Sequence, residues 1–409
     1  MMNYAEINAQ LKALRQEHLL RFYDTLSEDE QSTLLRNLEK MDLNYLRAFA
    51  ERGKEVQRGR IEPIPVLRIP EIEEKKDLFA VEGLKLIREG KAAAVLLAGG
   101  MGSRLGHDGP KGTFDIGVTR PVYIFQRLIE NLQETVREAG RPVHLFIMTS
   151  EANDAETRSF LHAHDFFGYD PSYVHFFTQA MAPAVDEDGK ILMETKTAPV
   201  SAPNGNGGWL LSMESAGFLD LVRKEGIEWL NVFSVDNVLQ RICDPVFIGA
   251  TALSGCASGS KVVKKTDPGE RVGVMCREDG RPAVVEYYEM TDSMRTAADE
   301  DGHYLYYYGV ILNYLFRVSD AVAVMHEKMP VHFAHKKIPC IDEQGRAVVP
   351  SEPNGWKFEY FIFDLLHELD GCLVYEVDRA KEFAPVKNRS GADSPESARE
   401  LLLAQGIRI

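Results

Sequence analysis

The 409-residue sequence has few cysteines, no long apolar run and no excess of positive charge. Its five cysteines form no Cys-x-x-Cys pair, which argues against a disulfide framework or a cysteine-built zinc site and favours a reducing, cytoplasmic location. No stretch approaches the roughly 18 apolar residues of a membrane span. Lys and Arg total 47 against 62 Asp and Glu, a net charge of -15. We therefore expect no general binding to nucleic acid or membranes, and any anionic ligand needs a local cluster of cations.

The first 76 residues are predicted to form a helical region followed by a linker. Apolar residues recur at helical spacing through residues 4–52, and SEDE at 27–30 matches a capping box that opens a helix. Residues 61–74 carry three prolines among mixed charges, which favours an extended segment. We place the start of a new domain at Asp77.

Residues 77–390 show the pattern of an α/β core. Apolar runs at 92–98 and 143–148 flank a helical pattern at 121–139, and WLNVFSV at 229–235 is typical of a further strand. This alternation predicts a Rossmann-like, mixed but mainly parallel sheet flanked by helices.

Two shorter features complete the core and the end of the chain. Turn sequences within 185–192 and 272–286 add antiparallel hairpins to the core. The last segment, 391–409, is predicted to be a C-terminal helix that begins at Ser394-Pro395.

A glycine-rich stretch, GGMGSRLG at residues 99–106, follows the first apolar run, and PKG follows at 110–112. Glycines at a strand end let the backbone approach a ligand and present N–H groups to phosphate oxygens, while Arg104 and Lys111 add two cations. The sequence contains no Walker string, and Leu105 stands where a dinucleotide fingerprint requires its last glycine. The pattern therefore predicts a phosphate-binding loop of another kind.

This loop resembles the signature of the sugar nucleotidyltransferases, in the branch of the UDP-N-acetylglucosamine and UDP-N-acetylgalactosamine pyrophosphorylases. The resemblance extends over about residues 90–405, because further blocks occur in the family's order. They are FTQ at 177–179, APNGNGG at 202–208, VDN at 235–237, VVEY at 284–287, KKIP at 336–339, PNG at 353–355 and EFAPVKN at 382–388. The resemblance implies the nucleotide-diphospho-sugar transferase fold and a uridylyltransferase that makes UDP-N-acetylhexosamine and pyrophosphate from UTP and N-acetylglucosamine or N-acetylgalactosamine 1-phosphate.

The resemblance also implies roles for individual residues. The catalytic residues it implies are Arg104, Lys111 and Lys387, with Lys111 stabilising the α-phosphate. The nucleotide-binding residues it implies are Leu97, Ala98, Gly99, Gly100, Lys111, Gln179, Gly205, Asp236 and Lys357. The sugar-binding residues it implies are Asn206, Gly273, Glu286, Phe361, Phe363 and Lys387. An amide such as that of Gln179 suits the uracil edge, because it carries both a donor and an acceptor.

Asp236 matches the family's metal-binding aspartate. It ends an apolar run, and open α/β sheets bind ligands at the carboxyl ends of their strands. Mg²⁺ is usually held by one or two carboxylates with phosphate oxygens and water, so we expect Mg²⁺ or Mn²⁺ as the cofactor.

The residue types alone also fit purely structural roles. Asp236 also fits a helix cap, and Gln179 fits a strand-end amide that binds backbone. Phe361 and Phe363 fit a plain core, and isolated lysines such as Lys357 are ordinarily solvated surface charges.

One position departs from the family pattern. The family has an asparagine that contacts the sugar where this chain has Val310, and valine can neither donate nor accept a hydrogen bond. Loss of a polar contact changes discrimination between sugars, so glucose or galactose 1-phosphate is an alternative substrate.

Two further hypotheses concern the class of protein. One is a catalytically idle UDP-sugar-binding protein, which would need fewer cations than this chain has. The other is a dehydrogenase, which would need the dinucleotide fingerprint that this sequence lacks. Larger eukaryotic members of the family continue into a further β-rich domain, which we expect this chain to lack, and the oligomeric state stays open.

Overall fold

The structure is a computed structural model that describes residues 3–52, 58–326 and 329–409. None of the helices in these ranges is both long enough and apolar enough to cross a membrane. All five cysteines are free thiols.

Helices make up most of the regular structure in the described residues. The α-helices are α1 (Tyr4–Ala13), α2 (Glu28–Glu39), α3 (Asn44–Ala50), α4 (Ile69–Glu74), α5 (Lys76–Arg88), α6 (Ile124–Ala139), α7 (Asp154–Ala163), α8 (Trp209–Ser215), α9 (Phe218–Glu225), α10 (Pro245–Ser254), α11 (Asp292–Thr296), α12 (Val318–Val324), α13 (Ile362–Glu368), α14 (Arg379–Glu382) and α15 (Pro395–Ala404). Short 3₁₀ turns include Ser103–Leu105, Lys111–Thr113 and Asn206–Gly208.

The strands vary from two to ten residues in length. They are β1 (Ile61–Glu62), β2 (Val66–Leu67), β3 (Ala92–Leu97), β4 (Leu145–Thr149), β5 (Val174–Thr178), β6 (Met181–Pro183), β7 (Ser201–Pro203), β8 (Trp229–Ser234), β9 (Ser258–Lys264), β10 (Val274–Glu278), β11 (Arg281–Val285), β12 (Tyr308–Arg317), β13 (His332–Lys336), β14 (Cys340–Ile341), β15 (Ala347–Val348), β16 (Gly355–Glu359) and β17 (Cys372–Glu376).

The chain forms two compact units, each assembled from three separate stretches. The first unit comprises Met1–Gln57, Ala180–Gly208 and Lys328–Ile362, and the second comprises Arg58–Gln179, Trp209–Glu327 and Phe363–Ile409. The sequence boundaries expected after residues 76 and 390 stay a prediction, because the units join stretches that are far apart in the sequence.

The first unit packs the N-terminal helices on small antiparallel sheets. Its core joins apolar residues of α1, α2 and α3, such as Leu11, Leu34 and Phe49, to residues of the second and third stretches, such as Val185 and Phe358. The predicted capping box at the start of α2 is present, since the Ser27 hydroxyl and Glu30 carboxylate each bind the other residue's backbone. The helical prediction for this region is confirmed.

The second unit contains the main sheet, with strand order β2-β17-β9-β12-β8-β3-β4-β5. Strands β8, β3, β4 and β5 are mutually parallel, as are β9, β17 and β2, whereas β12 runs antiparallel between β9 and β8. The six residues of β3 are all buried, as expected for a parallel strand covered on both faces. The predicted α/β class with a mixed, mainly parallel sheet is confirmed.

One local prediction is wrong in part. Residues 61–67 are extended, but α4 begins directly afterwards at Ile69. Pro70 lies in the first turn, where its missing N–H removes no helical hydrogen bond, and the Arg68 N–H donates to the Glu71 carboxylate at 3.0 Å. Ile72 is buried, so packing of this single side chain against the core favours the helix.

Candidate active site

The glycine-rich loop leaves the carboxyl end of β3 and presents free backbone donors. Within the described residues, the N–H groups of Gly99, Gly100 and Ser103 donate to no backbone acceptor. Gly100 and Ser103 are exposed, and a Cβ added to Gly100 would meet no atom within 4 Å. N–H groups that are both accessible and unpaired can bind the oxygens of a phosphate.

Asn153 holds this loop in shape. The side chain is fully buried, and its amide donates to the carbonyls of Ala98 (3.0 Å) and Gly100 (3.3 Å) while its oxygen accepts from the Ser150 N–H. The Gly100 carbonyl also accepts from the Lys111 N–H at 3.1 Å. Both carbonyls that flank Gly99 are therefore fixed, and the Lys111 backbone is fixed with them.

Gln179 lies against the same loop. It is buried, its N–H donates to the Thr149 carbonyl at the end of β4, and its side-chain amide would be 2.7 Å from a Cβ added to Gly99. Glycine is required at this position for the close approach of an amide that carries a donor and an acceptor. The structure thus brings two predicted nucleotide-binding residues together.

Lys111 and Asp236 form the central ion pair. Asp236 follows β8, the parallel neighbour of β3, and the Lys111 ammonium contacts its carboxylate. The side chains are 12% and 27% exposed, so the pair is shielded but still open to a ligand. Arg104, in the exposed turn Ser103–Leu105, adds a second cation to the loop.

Lys387 is held close to Asp236 by a backbone hydrogen bond of its neighbour Val386. The Val386 N–H donates to the Asp236 carbonyl at 2.9 Å, so the half-buried Lys387 follows directly after the contact. Arg389 lies nearby as well, since its guanidinium carbon is 4.0 Å from a Cβ added to Gly106. The loop after β3 and the segment bonded to Asp236 therefore carry several cations, of which Lys111 contacts the carboxylate, and binding of polyphosphate requires such cations.

A buried ionic group lies behind this segment. Lys261 on β9 is fully buried, and its ammonium contacts Asp244 at 3.1 Å and Glu382 at 2.6 Å. Burial by itself would raise the pKa of Asp244, but Lys261 and Arg241 hold that pKa below its usual range. Glu382 ends α14, five residues before Lys387, so this group anchors the segment that carries Lys387.

Gly273, Glu286 and Val310 form a second group of predicted residues in this unit. A Cβ on Gly273 would be 3.3 Å from a Glu286 carboxylate oxygen, and the Val310 N–H donates to the Gly273 carbonyl at 2.9 Å. The Val310 side chain is half-buried. Val310, an apolar residue, is therefore bonded through its backbone to Gly273, and Gly273 lies close to the Glu286 carboxylate that we expect to bind sugar hydroxyls.

The first unit carries Gly205, Asn206, Lys357 and Phe361, whereas Leu97 at the end of β3 and Phe363 in α13 belong to the second unit. Gly205 has φ +86°, and an added Cβ would be 2.4 Å from the Tyr360 carbonyl, so only glycine fits there. The Asn206 carboxamide oxygen accepts from the Ile362 N–H at 2.9 Å, next to the half-buried Phe361. Lys357 lies on β16, opposite Ala334 of β13.

Sequence patterns missed three contributors. Asn153 and Arg389 belong to no motif, although Arg389 ends a basic KNR run that could have drawn notice. Lys261 was missed because a strand lysine ordinarily faces solvent.

Comparisons with known proteins identify the family of this chain. Residues 37–405 match the UTP–glucose-1-phosphate uridylyltransferase family. The chain is 37% identical to the human UDP-N-acetylhexosamine pyrophosphorylase-like protein 1, over all of this chain and 85% of that protein. It is 34% identical to the UDP-N-acetylglucosamine pyrophosphorylase of Saccharomyces cerevisiae, over 96% of this chain and 88% of that one.

Solved structures are similar as well. The uridine diphosphate N-acetylglucosamine pyrophosphorylase of Trypanosoma brucei, solved with an inhibitor, superposes with a TM-score of 0.83 at 31% identity, over 99% of this chain and 85% of that chain. A protein described as a putative UDP-N-acetylglucosamine pyrophosphorylase of Entamoeba histolytica gives 0.76 at 34% identity, over 83% and 86%. On the family match and these relatives together, the chain belongs to the UTP–glucose-1-phosphate uridylyltransferase family.

Proposed function

We propose that this chain transfers the uridylyl group of UTP to an N-acetylhexosamine 1-phosphate and releases pyrophosphate. The observation that carries the proposal is the Lys111–Asp236 pair at the ends of two neighbouring parallel strands, beside a glycine-rich loop with free N–H groups. The relatives of this chain also support the proposal, since they are named UDP-N-acetylhexosamine and UDP-N-acetylglucosamine pyrophosphorylases.

The reaction is an in-line displacement at the α-phosphorus of UTP. A phosphate oxygen of the sugar 1-phosphate forms a bond to that phosphorus, and the bond to the bridging oxygen of the β-phosphate breaks. The electron pair of the broken bond leaves with pyrophosphate. Because the attacking oxygen is already an anion, no general base is needed, and the protein's task is to align two polyanions and offset their charge.

The residues divide this task as follows. Free N–H groups of the loop, with Arg104, hold the phosphates, and Lys111 leaves its contact with Asp236 to stabilise charge on the α-phosphoryl group. The family resemblance assigns Gln179 and Gly205 to the uracil, and Lys357 and Lys387 to the phosphates. It assigns to the sugar Asn206, Gly273, Glu286, Phe361 and Phe363.

A divalent cation fits the donors that Asp236 offers. Its carboxylate is a hard oxygen ligand and is partly exposed, and Mg²⁺ takes few carboxylates while obtaining its other ligands from phosphate and water. Asp236 would hold Mg²⁺ or Mn²⁺, which supplies neutralisation of phosphate charge when bound. The proposal includes a cytoplasmic location, which the free cysteines favour.

A hexose 1-phosphate is a second candidate substrate, favoured by the apolar Val310, whose N–H donates to the Gly273 carbonyl. Initial rates with UTP and Mg²⁺ should be compared for the 1-phosphates of N-acetylglucosamine, N-acetylgalactosamine, glucose and galactose. We expect kcat/KM for an N-acetylhexosamine to exceed that for either hexose by at least about tenfold, and chelation of the metal to abolish the rate. A preference for glucose or galactose would contradict the sugar class while leaving uridylyl transfer intact.

A further inference from the structure

The turn that carries Asp236 is joined to the segment that carries Lys387 through the side chain of Asn237 and through backbone hydrogen bonds. The side chain is 1% exposed. Its amide donates to the Glu382 carbonyl at 2.7 Å, and its oxygen accepts from the Ala384 N–H at 2.9 Å. The same oxygen accepts from the Leu239 N–H at 3.3 Å, within its own turn.

Backbone contacts complete this junction. On one side of Asn237 the Asp236 carbonyl accepts from the Val386 N–H at 2.9 Å, and on the other the Val238 N–H donates to the Ala384 carbonyl at 3.2 Å. The two segments therefore run side by side for three residues, with the Asn237 amide closing the end farthest from Lys387. A displacement of residues 382–386 would move Lys387 relative to Asp236.

Further buried side-chain amides hold the Asp236 turn in place. Gln240 donates to the carbonyls of Ser234 and Asn237, so it closes the turn, and its own oxygen accepts from the Asn313 amide at 3.1 Å. Asn313 in turn accepts from Asn231 of β8 at 2.8 Å. Because these side chains are almost fully buried and bonded to one another, the turn has a single arrangement that satisfies them.

An irregularity in β12 brings the Asn313 side chain within reach of this network. Between Val310 and Tyr314, four steps along β12 correspond to two steps along β9, and Leu312 has φ +52°. A bulky residue in the left-handed region is costly and persists only where the surroundings enforce it. Here the bulge delivers the Asn313 amide to Gln240.

We propose that Asn237 is a positioning residue for the transfer reaction, which acts by holding Lys387 in register with Asp236. This proposal rests on the proposed function, because it assigns Lys387 to the phosphates. An amide suits the position because its nitrogen donates to the Glu382 carbonyl while its separate oxygen accepts from the Ala384 N–H, and a single hydroxyl oxygen has no such second atom. Aspartate has the same shape but cannot donate, so its carboxylate would face the Glu382 carbonyl.

The test is a double-mutant cycle between Asn237→Asp and Lys387→Ala. We expect Asn237→Asp to lower kcat by on the order of 10²-fold, with the KM for UTP close to that of the wild type, because misplacement by about 1 Å has that cost. In the Lys387→Ala background the same substitution should change kcat by a factor close to one, since both act through one group. Effects that multiply, or an unchanged kcat in the single variant, would overturn the proposal.

Hydrogen exchange provides a readout that does not depend on activity. In Asn237→Asp the amides of residues 382–384 and 386 should exchange faster than in the wild type, while those of β3 stay protected. Unchanged exchange at these residues would contradict the claim that Asn237 joins the two segments. If the wild type formed no UDP-sugar, the proposed function would fail, and the exchange result would still decide whether Asn237 joins the segments.

Two further variants cover the case of misfolding and the effect of the added charge. Asn237→Ser keeps a small polar side chain and replaces Asn237→Asp in both measurements if the aspartate variant does not fold. Asn44→Asp, at an exposed asparagine at the start of α3, is the matched control and should leave kcat and exchange at residues 382–384 and 386 unchanged. Loss of kcat in this control would show that the charge change itself, rather than the junction, lowers the rate.

Discussion

Lys111→Ala is expected to lower kcat for UDP-sugar formation by about 10²–10³-fold, the usual cost of removing one donor that stabilises transition-state charge. The Lys111 side chain is 12% exposed and the Lys111 backbone is fixed by the Gly100 carbonyl, so the position of this cation is constrained. Affinity for UTP should fall less than kcat, because the loop N–H groups and Arg104 remain. Initial-rate kinetics at varied UTP measure both quantities.

A surface lysine of the same unit provides the control for Lys111. Lys85 lies on α5 with its side chain 56% exposed, and its ammonium pairs with Glu82 in an i,i+3 pair at 3.3 Å. Lys85→Ala should leave kcat and KM at their wild-type values. A Lys111→Ala enzyme that retained full kcat while binding UTP more weakly would contradict the assignment, because Lys111 would then contribute to binding alone.

Lys261→Ala is expected to give the largest loss of stability, about 3–5 kcal/mol in the free energy of unfolding. The substitution leaves the carboxylates of Asp244 and Glu382 buried without the cation they share. Arg241 contacts Asp244 at 3.4 Å and offsets part of that cost. Urea denaturation followed by circular dichroism measures the change in the unfolding free energy.

Lys264, on the same strand, is the matched control for Lys261. Its side chain is exposed and lies 6.0 Å from the Tyr307 ring, so Lys264→Ala should change the unfolding free energy by less than about 1 kcal/mol. Coincident denaturation curves for Lys261→Ala and the wild type would show that Lys261 is not the counterion of a buried group.

The sequence predicts those parts of the fold that depend on local patterns. The strand Ala92–Leu97 is apolar at every position and runs into glycines, which few structures other than a buried parallel strand and its turn accommodate. Ser394 and Pro395 predict the last helix, and both occupy the expected cap positions. The helix Ile69–Glu74 was not predicted, because proline usually breaks a helix, although it is tolerated in a first turn.

The family resemblance assigns a role to each site residue, and these roles stay predictions, whereas the contacts among the residues could not be predicted from the sequence. Lys111 and Asp236 are 125 residues apart, and only the parallel pairing of β3 with β8 brings them together. The roles of Asn153 and Asn237 depend on which carbonyls lie within reach, and no spacing rule encodes that information. The burial of Lys261 likewise depends on two carboxylates from distant segments.

The most direct test of uridylyl transfer is the fate of the α-phosphorus of UTP. UTP labelled with ³²P at that position is incubated with N-acetylglucosamine 1-phosphate, Mg²⁺ and the purified protein. The displacement described above predicts that the label appears in UDP-N-acetylglucosamine, with one unlabelled pyrophosphate released per product. Label that stays in UTP or appears in UMP, with this and every other sugar 1-phosphate of the panel, would contradict it.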